Sequence, residues 1–210
     1  MSYFPVMLNV DYKKIVVVGG GHVATQKIES LLATKAVITV ISPMLTATLQ
    51  QFVQQGVINW RDKYFEPADL DDAMIIFATT NDEAVNDQIE QATQHWQLFT
   101  RADVNGRMDF ISPAVVRRGD FVLTVSTSGA SPAFTRQVKQ QLSEQFDSSY
   151  ENYVAFLKRG RQTILARFEG EDKRRALAAL LEPQVLQWVQ QEQLERCEEF
   201  LQQLVEGESM

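Results

Sequence analysis

This 210-residue chain has one cysteine, Cys197, and two histidines, His22 and His95. A lone cysteine excludes an internal disulfide, and neither residue type recurs at zinc-ligand spacing, so no metal site is expected. Long apolar runs are also missing, since none approaches the ~20 residues that a membrane helix needs. The opening residues, MSYFPVMLNVDYKK, lack the basic-then-apolar order of a signal peptide, so the chain is expected to stay in the cytoplasm. Positive charge is the minority sign, with 20 Lys and Arg against 27 Asp and Glu and a net charge of -7. That balance argues against nucleic acid as the main partner.

The charge is unevenly spread. Residues 114–180 carry 11 Lys and Arg against 7 Asp and Glu, whereas 181–210 carry 1 against 7. A basic middle suits a small polyanionic ligand, and a pair of oppositely charged solvated helix faces accounts for it equally well. Hydrophobic content of 45% in a chain of this length is enough to bury a sizeable core.

Residues 14–18, KIVVV, form a β-branched run that ends directly in glycines, which predicts a buried strand. Val23, Ala24, Ile28, Leu31 and Leu32 then recur at helical spacing. AVITVIS predicts a second strand ending near Ser42, INW a short one, AMIIFATT a strong one and LFTRAD another, with amphipathic helices between them. Thr80 and Glu83 have the spacing of a capping box before the helix in NDEAVNDQIEQATQ. Strand and helix alternate over about the first 110 residues, which predicts a parallel sheet covered on both faces. After Pro113, FVLTVSTSG predicts a strand, and Ser131-Pro132 an N-cap followed by proline at the first helical position. Beyond Val138 the chain reads as helical almost to its end, interrupted at Gly160, Gly170 and Pro183.

Three features carry chemistry. In VVVGGGHVA, Gly19, Gly21 and Ala24 have the spacing G-x-G-x-x-A, between a strand and a helix. The first glycine permits the tight turn, the second lets a pyrophosphate approach the backbone, and the small third residue lets helix and strand pack closely. The phosphates would rest on free amides at the helix start, around His22 and Val23. His22 reads as an exposed residue beside the phosphates and not as a metal ligand, because no second ligand is near. The Asp or Glu that usually holds the ribose about 20 residues on is absent. Ser42 and the backbone near Pro43 and Met44 take its place, and no arginine lies there for a ribose phosphate. NAD is therefore expected over NADP. Thr80, after the next long strand, is the remaining expected cofactor contact.

The second feature is Asp103, which ends a strand where open α/β sheets bind their ligands. It is read either as a general base or substrate-orienting group, or as a turn-capping residue before Asn105-Gly106. The third is STSGASPAFTRQ, where Ser126, Thr127, Ser128 and Ser131 cluster at a helix start with Arg136 one turn on. This is either a carboxylate- or phosphate-binding site or simple capping chemistry.

Taken together, VVVGGGHVATQK, FATTNDEAVN, ADVNGRMDFISPA and GDFVLTVSTSGASP resemble, in order and spacing, the precorrin-2 dehydrogenase family of the siroheme synthase N-terminal type. The resemblance covers about residues 3–145. It implies an α/β fold: a Rossmann-like dinucleotide domain over residues 1–113, a small α+β dimerisation segment over 114–147 and a helical C-terminal domain over 148–210. It further implies a cytoplasmic homodimer that oxidises precorrin-2 to sirohydrochlorin with NAD, on the route to siroheme or cobalamin; some members also insert iron or cobalt. Asp103 falls on the family's key aspartate. Ser126 to Ser131 falls on its hydroxyl-rich segment, with Thr127 where some members carry a phosphorylatable serine. The acetate and propionate arms of a tetrapyrrole would explain the basic middle and the hydroxyl-rich helix start. The alternative is a non-catalytic NAD- or tetrapyrrole-binding carrier or sensor derived from the family.

One departure stands out. Where the family usually reads Asn-Val-Val-Asp or Asn-Val-Ala-Asp, this chain reads Thr100-Arg101-Ala102-Asp103. Arg101 lies on the same side of the strand as Asp103. It is expected either to pair with Asp103, lowering its value as a base, or to bind a substrate carboxylate.

Overall fold

The computed structural model describes residues 3–103 and 106–206, and the chain divides into two compact units after Ser112. The first unit holds β1 (Lys14–Val18), α1 (His22–Leu31), β2 (Val37–Ile41), α2 (Ala47–Gln54), β3 (Asn59–Arg61), β4 (Ile75–Ala78), α3 (Glu83–Ala92) and β5 (Leu98–Arg101). A short 3-10 turn, Pro67–Leu70, precedes β4. All five strands are parallel, in the order β3-β2-β1-β4-β5.

Both faces of this sheet are buried, which is why its central strands read as continuous apolar runs. The two-residue alternation sends Ile15, Val17, Ile38, Val40, Ile75 and Phe77 to one face, against Ala24 and Ile28 of α1 and Leu49 of α2. Val16, Val18, Ile41, Ile76, Ala78 and Phe99 go to the other, against Ile89 of α3 and Leu70 of the 3-10 turn. Each fully buried Ile or Leu in these layers contributes about 1.5–3 kcal/mol relative to exposure. The strand order reverses between β1 and β4, so the crevice for a ligand opens at the carboxyl ends of those two strands.

The start of α3 differs from the expected capping box. The cap is Asp82, whose carboxylate accepts from the Ala84 and Val85 amides. Thr80 lies two residues earlier, and its hydroxyl donates to Asp82 O and Asn86 Oδ1 instead. An aspartate immediately before the first helical residue reaches the free amides more directly than a threonine two positions further out.

The second unit begins with an antiparallel pair, β6 (Ala114–Arg118) and β7 (Phe121–Val125). The first of these had no counterpart among the expected strands. Next comes α4 (Pro132–Gln145), started by Ser131 as N-cap, accepting from the Phe134 amide, with Pro132 in the first turn. The Arg118 guanidinium donates to the carbonyls of Ser143 and Phe146, satisfying free acceptors at the other end of α4. Helices α5 (Ser149–Arg167), α6 (Gly170–Ala179), α7 (Pro183–Gln190) and α8 (Leu194–Glu206) follow. They enclose a core of Phe156, Ile164, Val185, Val189, Phe200 and Leu201, which also buries Cys197.

Gly170 and Pro183 do open new helices, but Gly160 interrupts nothing. It lies inside α5, where a Cβ would meet both Cδ atoms of Leu180 at 3.0 Å. Close packing between helices, not a break, selects the glycine. Asn105, expected to form a turn with Gly106, lies outside the described residues. No described helix is long and apolar enough to cross a membrane.

Candidate active site

The glycine loop closes against two neighbours. The Gly19 amide donates to Ile41 O at 2.9 Å, and Gly19 has φ of +110°. A Cβ there would lie 2.7 Å from Thr79 O, so both conformation and space require glycine. Thr79 is itself fixed, its amide and hydroxyl both donating to Val18 O at 2.8 Å. Gly20 has the least room: a Cβ would fall 2.0 Å from Met44 O. The Thr46 amide donates to Gly20 O, so the glycine loop is bound to the loop after β2.

Gly21 is the opposite case. A Cβ on it would meet nothing within 4 Å, so its missing side chain leaves room on the cleft side. It is the N-cap of α1 and supplies no side-chain cap, which leaves the first-turn amides of His22, Val23 and Ala24 without side-chain acceptors. Free amides, a favourable dipole and an open approach are the requirements of a pyrophosphate seat, so the residues present fit a dinucleotide. Ala24 is fully buried and serves helix–sheet packing.

A cleft of about 540 Å³ opens beside this loop. Of the expected cofactor residues, Gly19, Gly21, Ser42, Pro43, Met44 and Thr80 line it, whereas the side chains of His22, Val23 and Ala24 do not. Gly20, Thr46, Lys63, Tyr64, Asn81 and Asp82 also line it. Ser42 is buried, and its hydroxyl donates to Met44 O at 2.7 Å. It shapes the loop and keeps only acceptor capacity for a ligand. Lys63 is held by Glu66 at 2.6 Å and Asp69 at 3.3 Å. This cation is therefore engaged by carboxylates.

Asp103 lies two residues past the end of β5, where the Ala102 amide still donates to Ala78 O. Its carboxylate is gripped from two elements. From β5, Arg101 Nε donates to Oδ1 and Arg101 Nη2 donates to Oδ2, the latter at 2.8 Å. From α3, Asn86 Nδ2 donates to Oδ2 at 2.8 Å. Asn86 is 1% exposed and is fixed in turn by Thr80, accepting from its hydroxyl and donating to its carbonyl. Thr80 lines the cleft, so hydrogen bonds run from the cleft wall through Asn86 to Asp103.

Arg101 Nη1 is taken by Asp87 and Glu90, both at 2.8 Å, and its side chain is only 2% exposed. Of the two expectations for Arg101, pairing with Asp103 is the one observed; a guanidinium buried among three carboxylates is not presented to a substrate carboxylate. Its hydrogen bonds, reinforced by Asn86, hold the Asp103 carboxyl below the usual aspartate value against the opposing effect of burial. The same contacts push the Arg101 pKa up.

The hydroxyl-rich segment belongs to the second unit. Ser126 Oγ accepts from the Ser128 amide. Thr127 Oγ1 accepts from the Ser131 amide and pairs with Thr135. Ser131 caps α4, and Ser128 has φ of +51°. Arg136 is exposed one turn on. Three of the four hydroxyls thus do capping and turn work.

Fold and cleft together define the class: a dinucleotide-binding domain of the open α/β type. A family model described as "Putative NAD(P)-binding" matches residues 6–114. The precorrin-2 dehydrogenase of Priestia megaterium is 35% identical over 154 residues, 73% of this chain and 76% of that protein. The siroheme synthase of Pseudoalteromonas atlantica is 30% identical over 204 residues, 96% of this chain and 44% of the synthase. The chain thus spans less than half the length of that synthase. A solved structure, "SirC, precorrin-2 dehydrogenase", superposes with a TM-score of 0.81 at 32% identity, over 96% of this chain and 98% of that one. The chain belongs to the precorrin-2 dehydrogenase family.

Proposed function

We propose that this protein oxidises precorrin-2 to sirohydrochlorin with NAD, in tetrapyrrole biosynthesis. The observation that carries the reading is the hydrogen-bonded path from the cleft wall at Thr80 through Asn86 to the Asp103 carboxylate. It ties a fixed anion to the place where a dinucleotide would lie. Bound NAD supplies the hydride acceptor, and the net reaction releases one NADH and one proton per two-electron oxidation. Gly19, Gly21 and the first-turn amides of α1 seat the pyrophosphate, while Pro43, Met44 and Ser42 border the ribose. The carboxylate pairing of Lys63 supports NAD over NADP.

Ser126, Thr127, Ser128, Ser131 and Arg136 are proposed to meet the substrate's carboxylate arms. A second copy of the chain is the proposed partner. Its support is α4, none of whose side chains is fully buried within the chain and whose Phe134 is 55% exposed. A two-stranded sheet such as β6-β7 is also marginal by itself. A cytoplasmic location is proposed with it.

The experiment is an anaerobic mixture of protein, precorrin-2 and NAD, in which sirohydrochlorin absorbance rises; Asp103→Ala slows the rise at least a hundredfold. The Arg101–Asp103 pair favours a second reading, a carrier that binds without oxidising. Calorimetric binding of both NAD and precorrin-2, with no product formed, would select the carrier.

A further inference from the structure

We propose that Arg101 is a positioning residue: with Asn86 it holds Asp103 in one orientation as a carboxylate that only accepts hydrogen bonds. Asp103 then orients the substrate and stabilises positive charge, and does not itself take up the departing proton. The inference rests on the dehydrogenase reading above.

A carboxylate offers about four acceptor positions. Arg101 Nε takes one on Oδ1, and Arg101 Nη2 and Asn86 Nδ2 take two on Oδ2. The Asp103 backbone amide adds to the hold on the same carboxylate. An anion fixed in this way suits an N–H donor, of the kind a reduced tetrapyrrole presents at its centre, and it repels the peripheral carboxylates.

A general base needs a proton affinity matched to the working pH. Here the fork of a buried guanidinium opposes protonation at both oxygens. Four donor contacts fix Arg101 itself: two to Asp103, one to Asp87 and one to Glu90. Its planar fork cannot follow Asp103 into a new rotamer without abandoning α3.

Among the described residues, the charged groups around Asp103 are few. Arg101 comes from β5, and Asp87 and Glu90 from α3 reach it through the same guanidinium. Arg107 donates its amide to Glu90 and its guanidinium to Asp109. None of the carboxylates bonds to Asp103 directly. In this arrangement one substrate hydrogen leaves with its electron pair to NAD and another leaves as a proton to solvent water. Asp103 stays anionic beside the cationic charge that develops between these events.

The test combines two readouts across pH. Carboxylate NMR of carbon-13-labelled protein, with the Asp103 signal assigned from Asp103→Asn, follows protonation without turnover. The pH profile of kcat/KM follows the reaction. In the wild type the Asp103 signal is expected to titrate below the ordinary ~3.9, so kcat/KM shows no acidic limb from Asp103 at or above that value. In Arg101→Met the signal moves up, and kcat/KM gains an acidic limb falling about tenfold per pH unit below the new midpoint. Arg101→Lys, which restores the charge, removes most of that limb.

A wild-type Asp103 that titrates at or above the ordinary value overturns the proposal. So does a folded Arg101→Met whose Asp103 titration and pH profile match the wild type. The wild-type titration decides even where Arg101→Met does not fold. If no sirohydrochlorin forms at all, the dehydrogenase reading fails while the NMR titration still reports on the clamp.

Discussion

Two adjacent glycines should fail in opposite ways when each is given a methyl group. In Gly20→Ala the new Cβ falls 2.0 Å from Met44 O and 2.8 Å from Leu45 Cδ2. The carbonyl cannot retreat freely, because Ser42 Oγ donates to it at 2.7 Å and the Thr46 amide holds Gly20 O at 3.0 Å. Overpacking of this kind costs about 1–3 kcal/mol, and each strained hydrogen bond adds about 0.5–1.5 kcal/mol. A loss of about 3 kcal/mol is therefore expected, read as a fall of 1 M or more in urea midpoint at a slope of about 1–3 kcal/mol/M. In Gly21→Ala the backbone, at φ -87° and ψ -167°, accepts an alanine, and the Cβ meets nothing. Stability should stay within about 1 kcal/mol, while the methyl stands where the pyrophosphate would rest. NAD affinity, measured by calorimetry, should fall at least about tenfold, or 1.4 kcal/mol. Equal urea midpoints for Gly20→Ala and wild type, or unchanged NAD affinity in Gly21→Ala, would refute this account of the loop.

Two further outcomes follow. Asp103 has a depressed folded pKa, so its pairing stabilises fully above the unfolded value of about 3.9 and is lost as pH falls through the lower folded value. The stability gap between wild type and Arg101→Met, from urea unfolding stepped from about pH 7 to pH 3, should be constant at the upper end and narrow below about pH 4; a gap that persists in acid contradicts the pairing. Sedimentation should return the mass of two chains at micromolar concentration and of one for Phe134→Glu. A single-chain mass for the wild type removes the dimer.

The first unit was legible because its signals are local. KIVVV and MIIFA are buried on both faces and read as unbroken apolar runs, and the glycine loop follows directly from the end of β1. Ser131-Pro132 announced the start of α4 for the same reason. Long-range contacts were not legible. Gly20 is constrained by Met44, 24 residues away, and Gly160 by Leu180 and Leu201. Asn86 carries no signal of its own within NDEAVNDQIEQATQ, and only the fold brings it to Asp103. The pairing of Arg101 was visible as one of two options from the strand alternation. Its further partners, Asp87 and Glu90, come from a helix whose packing the sequence does not specify. β6 went unread because Ala-Val-Val-Arg-Arg is short and half polar.

The central claim is an oxidation coupled to NAD at a site ordered by Asp103. Its most direct test follows sirohydrochlorin and NADH together in one anaerobic reaction with precorrin-2. The account predicts that the two appear in equal amounts, and that both nearly vanish in Asp103→Ala at saturating NAD. Binding of NAD and precorrin-2 without either product, or full turnover in Asp103→Ala, would contradict it.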